Sequence, residues 1–138
     1  MARKHITQMT EREESYLIRK ASKLDVDRLS SHVVQRMRER DISKEDIKTV
    51  MKDYRAIEYK MGEFGEQTVL IQGNKPINGN YINVILGINS SKIVTCFKNP
   101  ERNKFVNMDI YNPKLDIVNL IKSDTMLNTG YFRKSGKR

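Results

Sequence analysis

Near Tyr54 the hydrophobic pattern of this chain changes period, and that change decides what the chain can fold into. Before it, apolar residues recur three and four positions apart: Leu29, Val33 and Met37, then Ile47, Val50 and Met51. After it they alternate, most clearly in Y-I-N-V-I-L-G-I, where Ile82, Val84, Leu86 and Ile88 fall on one side. Helices repeat a face about every 3.6 residues and strands every second residue. Helices first and strands after imply an α+β fold, with the helices on one face of the sheet.

The punctuation sets the boundaries. Thr10 with Glu13 is a capping-box pattern opening a helix over about 11–23. Tyr16, Leu17 and Ile18 are its apolar content, a thin face expected to pack on a partner or on a second copy of the chain. L-D-V-D offers an Asp cap for a second helix over about 26–40, which Asp41-Ile42 ends. Ser43 with Asp46 opens a third. Four strands are expected at about 56–61, 67–72, 80–88 and 92–98. G-E-F-G, G-N-K-P-I-N-G and N-S-S separate them, and such short links favour an antiparallel meander. Asn112 as a cap and Pro113 at the first helical position begin a last short helix through about Lys122. The expected organisation is a helical N-terminal extension (1–25), an α+β core (26–98), and a C-terminal loop, short helix and basic tail (99–138).

Charge narrows the partners. Twenty-six Lys and Arg oppose seventeen Asp and Glu, a formal charge of +9, which favours polyanions, nucleic acid first. No apolar run approaches the ~20 residues of a membrane span. The polar start M-A-R-K-H-I-T-Q-M-T carries no signal peptide. The expectation is a cytoplasmic protein with no membrane partner. Cys96 is the single cysteine, so no intramolecular disulfide and no cysteine-rich zinc site can form. His5 and His32 lie too far apart in sequence to suggest metal ligands, and no glycine-rich nucleotide loop is present. No metal or cofactor is expected. His5 is read as part of a frayed terminus and Cys96 as a small core residue. Arg133, Lys134, Lys137 and Arg138 in the tail read either as an arm tracking phosphates or as a solvated terminus.

On the second helix His32, Arg36 and Arg40 fall one turn apart along one line, beside the apolar stripe. The residues His32, Arg36, Met37, Glu39, Arg40, Ile42, Ser43, Asp46 and Ile47, followed by Val94-Thr95-Cys96-Phe97, form a pattern that resembles a family of small bacterial and phage domains of unknown function. That family is itself similar to the BrnT and RelE toxins. The resemblance covers about residues 32–98. It departs at Asp41, where the family pattern has Gly. It implies a helix-plus-sheet fold and RNA as the substrate of a metal-independent ribonuclease, with an antitoxin as protein partner.

Such cleavage needs a base, an acid and cations at the phosphate. Histidine titrates near neutrality and arginine offers a planar fork. His32 and Arg36, with Thr95 from the last strand, are therefore the candidate catalytic residues. Arg40, Tyr81, Lys98 and the four tail cations are the candidate nucleic-acid contacts. The competing reading makes His32 a solvated or sheet-edge residue and pairs Arg40 with Asp41, Glu45 or Asp46. It leaves Tyr81 and Asn83 on a solvated strand face. The protein would then be a non-catalytic nucleic-acid-binding or protein-interaction module of a phage or mobile element. Alternation puts Ile93, Thr95 and Phe97 on one face and Lys98 on the other.

Overall fold

The computed structural model describes residues 2–103 and 110–123. The chain runs β1 (Ala2–His5), α1 (Glu11–Ala21), α2 (Ser31–Glu39), α3 (Lys44–Lys52), β2 (Tyr54–Met61), β3 (Gln67–Gly73), β4 (Tyr81–Gly87), β5 (Ile93–Asn99) and α4 (Ile117–Lys122). The strands form one antiparallel sheet in the order β1-β2-β3-β4-β5. The fold is α+β, with α1, α2 and α3 against one face of the sheet and a short C-terminal helix. The sheet has five strands, not the four expected. β1 pairs with β2 from Ala2↔Met61 to His5↔Glu58. Its sequence, A-R-K-H, carries two cations and no apolar alternation, so nothing local marks it as a strand.

Local chemistry sets the helix starts. The Thr10 hydroxyl accepts from the Glu13 amide and the Glu13 carboxylate accepts from the Thr10 amide, and Ser43 and Asp46 repeat this box at α3. The second helix begins later than expected. Ser30 caps it, while Asp25 accepts from the Asp27 amide in a turn of its own. The last helix also starts late. Asn112 accepts from the Lys114 amide in a local turn, and Asp116 is the cap. Asn and Asp serve in both roles, so residue type alone does not separate a local turn from a helix cap.

Val33, Met37, Ile47, Val50, Ile82, Val84, Leu86 and Ile88 are all buried in one core with Val69, Ile71 and Cys96. Leu17 and Ala21 join it, so one side of α1 lies on this core, while Ile18 stays exposed. A buried ion pair ties the ends together. The Lys4 ammonium donates to both oxygens of Glu13 (2.8 and 3.1 Å) and to the Leu115 carbonyl (2.8 Å), and the Ile117 amide donates to Glu13 (3.1 Å). This joins β1, α1 and the entry to α4. Among the described residues no helix is long and apolar enough to cross a membrane.

α2 ends in a Schellman motif. The Ile42 amide donates to the Met37 carbonyl (2.8 Å) and the Asp41 amide to that of Arg38 (3.3 Å). Met37 and Ile42 are both buried. Asp41 sits between them at φ 55°, a left-handed conformation that glycine adopts without penalty. Its carboxylate is fully exposed, 3.9 Å from Lys98, a contact worth little. Asp41→Gly is therefore expected to stabilise the fold by about 0.5–1 kcal/mol, read as a higher denaturant midpoint at unchanged slope.

Candidate nucleic-acid interface

Two register irregularities decide which side chains reach the face of the sheet away from the helices. In β2 the register shifts between Ala56 and Glu58. Simple alternation would put Arg55, Ile57 and Tyr59 on one side. The bulge instead sets Glu58 on the side of Arg55 and sends Tyr59 into the core opposite Val69. A second shift lies where Ile85 pairs with Thr95 but Leu86 pairs with Ile93. It turns Ile93 inward and leaves Thr95 and Phe97 on the open face. The expected sharing of one face by Ile93, Thr95 and Phe97 is thus corrected, because one extra residue in a strand reverses the alternation beyond it.

From paired positions, this face away from the helices carries Arg3, His5, Glu58 and Lys60 on one half, Arg55, Gln72, Asn83, Tyr81, Thr95 and Phe97 on the other, and Thr68, Leu70 and Ile85 between them; His5, Glu58, Gln72 and Asn83 are buried and the rest are half-buried. Tyr81 and Phe97 are half-buried. They are diagonal neighbours across β4 and β5, within roughly 7–8 Å in such a ladder. Among the described residues, Glu58 is the only acidic strand residue of this face. It accepts from Arg3 (2.6 and 2.8 Å) and from the Tyr111 hydroxyl (2.8 Å). Burial and this carboxylate push the Tyr111 phenol up to about 12.

A network of buried amides lies beside this group. Gln72 and Asn83 are almost wholly buried. The Gln72 oxygen accepts from the Arg55 guanidinium and from the Asn103 amide (3.0 Å). Its nitrogen donates to Asn83 (2.9 Å). Arg55 donates also to Asn74 (3.2 Å). Burial, and then the nearby charge of Arg102, lower the Arg55 pKa, while Tyr81 opposes the shift. His5 is buried here too. The Thr7 amide donates to Nδ1 (3.2 Å), which leaves Nε2 to donate to the Asn103 side chain (3.5 Å). Its ring packs edge-on against Tyr111. Burial holds its pKa below the ordinary imidazole value, against the opposing pull of Asn103 and Glu58.

The sequence candidates fall mainly along the α2–β5 edge. Arg40 donates to the Thr95 hydroxyl (3.1 Å) and the Cys96 carbonyl (2.6 Å). It therefore ties the end of α2 to β5, and none of Asp41, Glu45 or Asp46 pairs with it. Arg36 is held by Glu39 at 3.0 Å. Its guanidinium and the Gln35 amide keep that carboxyl below the usual range. His32 is exposed on the first turn of α2, and no hydrogen bond or ion pair joins it to Arg36 or Thr95. Lys98 lies on the helix side, opposite Ile82. Arg133, Lys134, Lys137 and Arg138 lie outside the described residues. A hollow of about 360 Å³ between α2 and the segment leading into it is lined by Val26, Leu29, Val34, Met37, Arg38 and Ile42, with Asp27 and Lys44 at its charged side, and none of the candidate catalytic residues reaches it. Among the described residues no three His, Cys, Asp or Glu side chains are grouped to hold a metal ion.

Of the sequence candidates, Tyr81 alone joins the amide network's half of the open face with an aromatic ring. Arg55, Phe97 and Arg102 are not among those candidates, and His5, expected in a frayed terminus, is instead buried at the end of β1. A signal existed for Phe97, since T-x-F in β5 matches Y-x-N in β4. There was none for Arg102, which a loop delivers. A family model described as a domain of unknown function, DUF4258, matches residues 29–102, spanning α2, α3 and β2–β5. No curated protein and no solved structure matches the chain.

Proposed function

Since this chain belongs to the DUF4258 family of domains of unknown function, its chemistry has to be read from its own surface, and we propose that it binds single-stranded nucleic acid, RNA favoured, on the sheet face away from the helices, where Tyr81 and Phe97 remain partly accessible. The observation that carries this reading is the pairing of two half-buried aromatic rings, Tyr81 and Phe97, with cations on one sheet face. Bases stack on aromatic side chains while basic groups follow the backbone, and stacking tolerates any base. The chain's excess of positive charge supports the same reading. In this reading the α2–β5 edge, with Arg40 and Thr95, borders the platform.

The test is binding of a short single-stranded RNA at about 50 mM salt, repeated as salt rises. Affinity is expected to fall linearly on logarithmic axes. Tyr81→Ala is expected to weaken binding by about 1–3 kcal/mol without changing the unfolding midpoint by a comparable amount. Absence of binding by the intact protein, or equal affinity in Tyr81→Ala, would defeat the reading. Cleavage of the RNA without added metal, abolished by His32→Ala, would replace it with the ribonuclease reading.

A further inference from the structure

We propose that Arg55 and Arg102 form a clamp for one phosphate group, built on the buried Gln72 side chain at the end of the open face. The inference takes the identity of its ligand, a phosphodiester of a bound strand, from the nucleic-acid reading above. Its geometry does not depend on that reading. One oxygen of Gln72 holds two donors: the guanidinium of Arg55 and the backbone amide of Asn103, the residue following Arg102. Gln72 is itself fixed by donation to Asn83. The amide network therefore anchors the Arg55 head and the loop bearing Arg102 at the same point.

Two guanidinium groups repel each other, and a nearby carboxylate would offset that repulsion. Here none serves. Among the described residues no ion pair involves Arg55, Arg102 or Glu101. Arg55 donates only to neutral amide oxygens, of Gln72 and Asn74, so its positive charge is positioned without being neutralised. Arg102 is exposed and able to turn its fork to an incoming anion. Its charge, after burial, lowers the Arg55 pKa, and a bound anion would relieve that repulsion. A phosphate suits the vacancy in charge, because its oxygens accept planar, charge-assisted pairs from arginine. Tyr81 lies on the same face as Arg55 with β3 between them, so a phosphate held there would bring an adjoining base toward the Tyr81 and Phe97 rings.

Inorganic phosphate is the first probe, titrated into the intact protein and followed through backbone amide resonances. Saturable shifts centred on residues 55, 72, 102 and 103 are expected. Arg102→Ala, a change on an exposed loop, should weaken this binding by about tenfold, the scale of one lost charged hydrogen bond. Arg55→Lys should weaken it too, since an ammonium lacks the fork. The second probe is single-stranded RNA, for which Arg102→Ala should lower the salt slope by about 0.7, the value for one lost phosphate contact. Phosphate binding that is absent, or unchanged in Arg102→Ala, would overturn the clamp. RNA binding whose salt slope is unchanged in Arg102→Ala would overturn its assignment to the strand. Phosphate bound as expected by a protein that binds no RNA would leave the clamp standing and defeat the nucleic-acid reading alone.

Discussion

Lys4→Ala is expected to cost about 3–5 kcal/mol of stability, the scale for breaking a buried ion pair from one side. The substitution removes a cation that satisfies both oxygens of Glu13 and the Leu115 carbonyl. The carboxylate left behind is nearly inaccessible to water, with a side-chain exposure of 7%. Burial alone would raise the Glu13 pKa. The Lys4 ammonium and the amides of Thr10 and Ile117 outweigh it and hold the group below its ordinary value. A depressed carboxyl contributes stability that is complete above its unfolded pKa and is lost as pH falls through the folded one. In Lys4→Ala the ammonium is gone, burial dominates, and protonation relieves the unpaired charge. The difference between the two proteins should therefore be largest near neutral pH and shrink on acidification, as denaturant unfolding at several pH values would record. A difference constant with pH would mean that the lost packing of the lysine stem, not the charge, carries the cost.

Leu86→Ala should remove about 2–5 kcal/mol, the range for a large-to-small change in a core. Leu86 is 1% exposed, and it pairs with Val69 on one side and Ile93 on the other. Three adjacent strands therefore meet at this side chain, and little slack exists for the sheet to close over the gap. A loss below about 1 kcal/mol in denaturant unfolding would show that the site collapses around the smaller residue.

The core was legible because burial imposes a period. Val33, Met37 and Ile47 had to lie inward if α2 and α3 were amphipathic, and Ile82, Val84 and Leu86 had to lie inward if β4 alternated. The open face was less legible for the same reason. A polar residue on a strand reads as solvated whether it is Asn83, buried in a network, or Thr68 at the surface. The two bulges add a second obstacle, since they change which residues share a side without changing composition. β1 could not be found from its own four residues, because the register with β2 holds it and Lys4 is buried only by virtue of Glu13. The same lack of a local strand signal makes His5 read as frayed, although it is buried in β1. Of the line His32, Arg36 and Arg40, the first two stand on α2 and Arg40 is its cap; helical spacing does not reveal that Arg40 reaches across to Thr95 and Cys96 in a strand more than fifty residues away.

The order of the strands has a consequence for how the protein assembles. β2 to β5 are joined by three short turns, and closing short loops costs little chain entropy. Their contacts are local in sequence, the condition for rapid folding. β1 is different, for everything between His5 and Tyr54 must be spanned before it can meet β2. Its docking is therefore the step of the sheet with the largest closure entropy, and it belongs among the last to form. Arg3 and His5 arrive only with that step. The meander can exist with its outer edge at β2 unpaired, and a protein caught in that state presents a strand ready to be completed by the β1 of a neighbour in exchange for its own.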